Sequence, residues 1–103
     1  MENVDANFLS AMKLEEQSWK LGDEEAIITT RSGSIYHIDS EGTLTGGYLV
    51  EGRTAKLSGA VYRRGGPIRV DRITVGLCIE AVTNDKRVMV TSPVQSIESH
   101  IGR

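Results

Sequence analysis

Ile73-Thr74-Val75-Gly76-Leu77-Cys78-Ile79-Glu80-Ala81-Val82 sets Ile73, Val75, Leu77, Ile79 and Ala81 on strictly alternate positions. Successive Cβ atoms point to opposite faces of a sheet, so this period of two gathers the five side chains on one face of a strand. A helix would scatter them around its axis. The run reads as a strand with one face in a core, and the chain on either side reads the same way.

Downstream, Thr83-Asn84-Asp85 is a hairpin turn into a strand over Lys86–Thr91, Pro93 ends that strand, and Val94 and Ile97 can pack as a short closing segment. Upstream, Ile68–Arg72 is a strand behind the loop Arg64-Gly65-Gly66-Pro67, where paired glycines accept positive φ and proline cannot donate to a ladder. Further back come Arg53–Arg63, with Ala55, Leu57 and Val61 on one face, and Thr43–Val50, broken off by Glu51-Gly52. The turns Asp39-Ser40-Glu41-Gly42 and Ser32-Gly33 then separate Ser34–Asp39 and Glu25–Arg31. Short runs between turn signals predict a mainly β domain. A partly closed antiparallel β-barrel of about five to seven strands is the expected architecture, since closure removes exposed edges.

Residue choice changes near position 26. Val4 is the one Val or Ile before Ile27, and every Thr lies after it. The first segment uses Ala, Leu, Met, Glu, Gln and Lys, which favour helix. Val4, Phe8, Ala11, Met12 and Trp19 recur at helical spacing, Asn3 or Asp5 can cap the start, and Gly22 can end it. The spacing predicts an N-terminal α-helix over 4–19. A rival reading makes Gln17–Leu21 a short strand, because Trp19 and Leu21 alternate with polar neighbours. The expected organisation is an acidic helical leader over 1–22, a small β domain over 23–98 and a frayed tail over 99–103.

A chain of 103 residues holds one core, and aromatic residues at 5% make that core mostly aliphatic. The single cysteine, Cys78, excludes an internal disulfide and a multi-cysteine zinc site. Met1-Glu2-Asn3-Val4-Asp5 does not begin a secretory signal, and the longest apolar stretch, Val75–Ile79, is far short of the ~20 residues that span a bilayer. A reducing, cytoplasmic setting is expected. The net charge of −2 is uneven: residues 1–25 hold seven acidic and two basic side chains, the remainder ten basic and seven acidic. The acidic leader either solvates a terminus or competes for a basic surface.

Catalytic constellations are thin. His37 and His100 are the only histidines, and a nucleophilic pair would need Cys78 beside His37 with a carboxylate such as Asp39. No His-x-x-x-His, Cys-x-x-Cys or calcium-type loop is present, so neither a metal nor a cofactor is expected. Gly42-Thr43-Leu44-Thr45-Gly46-Gly47-Tyr48 has glycines at phosphate-loop spacing, but Tyr48 stands where the lysine is required, and Gly46-Gly47 reads as a bulge or bend.

Basic residues supply the candidate partner surface. Tyr62, Arg63, Arg64, Arg69 and Arg72 surround the Gly65-Gly66-Pro67 loop, and Lys86-Arg87 sit at another hairpin. Guanidinium groups grip carboxylates or phosphates in pairs of bonds, and tyrosine can stack. Asp71 and Asp85 interleave with these positives and aromatic platforms are few, so a protein partner is expected ahead of nucleic acid. The second candidate surface is the apolar stripe Val4, Phe8, Met12 and Trp19, which would either cap the sheet or mediate self-association.

Ile28-Thr29-Thr30-Arg31-Ser32-Gly33-Ser34-Ile35-Tyr36, Val75-Gly76 and Val90-Thr91-Ser92-Pro93-Val94-Gln95-Ser96-Ile97 resemble small uncharacterised β-rich proteins of actinobacteria and their phages. The resemblance covers residues 27–98 discontinuously. It implies a cytoplasmic origin, tied to a mobile element, and carries over no activity and no site residue. The expectation is a non-enzymatic binding module.

Overall fold

The computed structural model describes residues 18–99. Ten strands follow one another: β1 Ser18–Lys20, β2 Ala26–Thr30, β3 Ile35–Ile38, β4 Thr43–Gly46, β5 Ala55–Val61, β6 Ile68–Val70, β7 Arg72–Thr74, β8 Cys78–Thr83, β9 Val88–Val90 and β10 Val94–Ser99. Eight form an antiparallel sheet in the order β10-β2-β3-β4-β5-β8-β9, with β6 branching off β5, while β1 and β7 form a two-stranded ribbon.

Alternation decides which side chains go inside. Ala26, Ile28 and Thr30 of β2, Tyr36 and Ile38 of β3, and Ile79, Ala81 and Thr83 of β8 are buried. The apolar members of this set, with Leu44, Leu57, Ile73 and Val94, make a core that is aliphatic apart from Tyr36 and Trp19. Each full burial of such a side chain contributes about 1.5–3 kcal/mol. In β5, Ala55, Leu57 and Val61 are all buried, and a bulge between Leu57 and Gly59 shifts the register against β8.

The alternating run that opened the sequence reading is two strands rather than one. Gly76 takes φ 94° between β7 and β8, where Val75 bridges Val94 in parallel and the Gly76 N–H donates to Val94 O at 2.9 Å. β7 leaves to pair with β1 and β8 pairs with β5, yet Ile73, Ile79 and Ala81 remain fully buried. The period reports the shared interior, not continuity of the strand.

Two expectations are corrected. The sheet is not a closed barrel of five to seven strands: its path ends at β10 and β9, and β6 opens a further edge. Closure is not the only way to manage edges. Here β6 and β9 are kept to three residues each, and β6 is bounded by Pro67 and by Asp71 at φ 61°. The N-terminal helix over 4–19 is also unsupported, because the described residues contain no helix and Ser18–Lys20 are strand. Trp19 is 3% exposed inside the core, and its Nε1–H donates to Glu24 O at 2.8 Å. Burial of an indole on an alternating segment overrides local helix preference, as the strand reading of Gln17–Leu21 anticipates. Trp19 is therefore withdrawn from the proposed helix interface; Val4, Phe8 and Met12 lie outside the described residues.

Candidate docking edge

The arginine-bearing loop joins β5 to β6. The Gly66 N–H donates to Arg63 O at 2.9 Å, and Gly65 takes φ 80°, which turns the chain back along β5. Gly59↔Val70, Ala60↔Arg69 and Val61↔Ile68 face each other across the pair. The Asp71 N–H donates to Ser58 O at 3.0 Å. Antiparallel pairing alternates bonded and non-bonded residues, so Arg69 is the next to turn its backbone groups toward β5. The N–H and C=O of Ile68 and Val70 therefore point to the open side of the sheet.

Side chains add to that open edge. All three β6 residues are exposed, Val70 at 63%, and Tyr62 beside them at 77%. Among the described residues, Arg63, Arg64, Arg69 and Arg72 are exposed and make no ion pair. Apolar side chains, unpaired guanidinium groups and unpaired backbone donors and acceptors converge on one short strand.

Gly59 lets this strand lie where it does. A Cβ at Gly59 would sit 2.2 Å from Arg69 O and 2.8 Å from Ile68 Cγ1. Gly59→Ala is expected to lift β6 off β5, destabilising the fold by about 2 kcal/mol. Loss of amide-exchange protection at Arg69, with protection at Ile28 and Ile79 retained, would register it.

The remaining sequence candidates are placed apart. Arg72 begins β7 beyond the Asp71 corner, opposite Lys20 of β1. Lys86 and Arg87 form the β8–β9 turn beside Ala55, whereas the Arg63–Arg64 loop lies beside Cys78, because β5 and β8 run antiparallel. The length of β5, about 20 Å at about 3.3 Å per residue, separates them. The two basic clusters are thus not one surface.

At that far turn Asp85 organises the charges. Its carboxylate accepts from the Thr83 hydroxyl and lies 3.1 Å from Arg53 Nη1 and 3.7 Å from Arg87 Nε. The Thr83 hydrogen bond first, and then the two guanidinium groups, hold the Asp85 carboxyl below its ordinary value of 3.8. A depressed folded-state value contributes stability above pH 3.8 that is lost as pH falls through the lowered value. Asp85→Asn is expected to melt below the native chain at neutral pH, with the gap closing in acid; thermal melts across pH read this directly.

The pair considered for nucleophilic chemistry is not assembled. Cys78 is half-buried and its S–H donates to Tyr62 O at 3.9 Å, while His37 lies on β3 between Ile27 and Thr45, with β4 and β5 intervening. Gly46 ends β4, and Gly47 packs against the Tyr36 ring, which gives this glycine pair a structural reason. Among the described residues, no group of three His, Cys, Asp or Glu side chains could hold a metal, and no helix is long and apolar enough to cross a membrane.

Sequence reasoning found the arginines but missed Ile68 and Val70. The one local signal is Pro67, which marks the start of their strand, and nothing beside it in sequence shows which flank is left open. No family model matches the chain, and neither the curated proteins nor the solved structures contain a match to it.

Proposed function

We propose that the protein is a non-enzymatic binding module that takes an extended, acidic segment of a protein partner along the open edge of β6. The observation that carries this reading is the outward-facing backbone of Ile68 and Val70 beside unpaired Arg63, Arg64 and Arg69. An added strand gains main-chain hydrogen bonds from such an edge, and alternate acidic side chains meet the guanidinium groups. Arg and Tyr are also the residue types that most often dominate binding energy at protein interfaces. Asp71 and the wide gap to Lys86-Arg87 leave no continuous basic track for a nucleic-acid backbone. A reducing, cytoplasmic setting goes with this reading, since Cys78 is a free thiol.

The test uses a capped peptide of alternating valine and glutamate, a scrambled-charge lysine version, and a single-stranded oligonucleotide. The glutamate peptide is expected to slow amide exchange at Ile68 and Val70, and Arg63→Glu/Arg64→Glu is expected to weaken it about tenfold or more. Equal binding of both peptides would overturn the charge argument. Tighter binding of the oligonucleotide, falling steeply with salt, would replace the protein partner with nucleic acid.

A further inference from the structure

Among the described residues, six of the eight large apolar side chains that stand exposed fall into two groups at opposite ends of β5. Tyr62, Ile68 and Val70 belong to the docking edge. Tyr48, Val50 and Val88, exposed by 74%, 65% and 53%, gather at the other end and line a cleft of about 370 Å³ between the β4–β5 loop and the β8–β9 hairpin. Leu49 and Met89 complete its apolar wall, and Arg53 and Arg87 stand at its polar side. We propose that this cleft is a second binding site, for a small monocarboxylate with an apolar body.

The volume lies within the roughly 300–1,000 Å³ typical of small-molecule sites. The charge at its rim selects the headgroup. Two guanidinium groups share one carboxylate, that of Asp85, which does not line the cleft and whose other oxygen is taken by the Thr83 hydroxyl. One unit of positive charge is left over, and no carboxylate lines the cleft among the described residues. Arg87 carries the free share: its side chain is 80% exposed, only Nε approaches Asp85, and its two terminal nitrogens make no bond among the described residues. Those nitrogens can receive a carboxylate through two parallel hydrogen bonds, while an alkyl or aryl body displaces water from Tyr48, Val50, Val88 and Met89. A single surplus charge fits a monoanion better than a phosphate dianion. The site is independent of the β6 edge, lying at the far end of β5.

Octanoate and its neutral counterpart octanamide are the probes, followed by amide NMR titration of the full chain. Octanoate is expected to give saturable shifts centred on Leu49, Val88 and Met89. Octanamide is expected to bind about tenfold more weakly or worse, and Arg87→Gln to weaken octanoate by a similar factor, as for loss of the charge-assisted hydrogen bonds to the carboxylate. Arg87 is exposed enough for the variant to stay folded, and Tyr48→Ala, which removes one wall, is expected to weaken both probes together. Equal affinity for the two probes with Arg87→Gln unchanged would reduce the cleft to an apolar adsorption surface and overturn the proposal. Shifts centred on Tyr62 and Val70, or no saturation, would also overturn it.

Discussion

Replacing Gly47 by alanine is expected to destabilise the fold by about 3 kcal/mol, the sum of an overpacked core and a strained backbone. Gly47 sits at φ 56°, just after β4, and a Cβ there would fall 2.2 Å from Tyr36 Cε1 and 2.3 Å from Cζ. The ring cannot give way. Tyr36 is fully buried, paired between Ile28 and Gly46, and its hydroxyl accepts from the Tyr48 N–H at 3.4 Å. Burial also pushes that hydroxyl above its ordinary value of 10, against the opposing pull of the Tyr48 N–H bond. Gly52 supplies the control. It takes φ 85° with nothing within 4 Å of a Cβ, so Gly52→Ala carries strain alone, about 1 kcal/mol. For a domain of this size, each kcal/mol moves the melting temperature by about 4–8 °C. Thermal melts of the two variants should therefore differ by roughly 10 °C or more, and equal melts would mean that the ring contact is absent.

Trp19→Ala is expected to be the second severe change, at about 3–5 kcal/mol, the usual effect of removing a large buried aromatic. Trp19 faces Ile73 across the β1–β7 ribbon, and its indole N–H would leave Glu24 O without its donor. Were Trp19 on a solvent-facing or partner-facing helix, the same substitution would cost little and would change self-association instead. Denaturant unfolding measures the first outcome and light scattering the second. A neutral Trp19→Ala would restore the helix reading and remove β1 from the core.

Much of the sheet could be read from residue order because turns and alternation are local signals. Ser32-Gly33 and the Asp39–Gly42 stretch close turns where expected: the Gly33 N–H donates to Thr30 O and the Gly42 N–H to Asp39 O. Ala55 and Leu57 share the core face with Ala81 and Thr83 as their spacing required. The bulge after Leu57 brings Ala60 onto that face opposite Ile79 and turns Val61, also buried, to the Cys78 face, so Ala55, Leu57 and Val61 do not lie on one face. What stayed hidden depends on residues distant in sequence. Gly76 looks harmless inside a perfect alternation, and only the bridge of Val75 to Val94 shows that two strands meet there. Trp19 fits a helical stripe as well as a strand, and pairing with β7 decides between them.

The candidate sites follow the same division. Arg63, Arg64 and Arg69 were legible from their loop, since charged turn residues are solvent-facing in most folds. That Lys86-Arg87 stand at the other end of β5 was not, because it follows from the antiparallel register of β5 against β8. The open edge at Ile68 and Val70 was equally hidden. A three-residue strand carries too little alternation to say whether one or both of its edges are paired, and the bulge at Ser58 precedes the stretch of β5 that receives it.

Residue-resolved amide exchange across β6, in the full chain without any ligand, tests the docking edge most directly. Arg69 should exchange slowly, bonded to β5, while Ile68 and Val70 on either side exchange at nearly the rate of an open chain. Protection of all three would mean that something already covers that flank, and rapid exchange of all three would mean that β6 does not pair with β5.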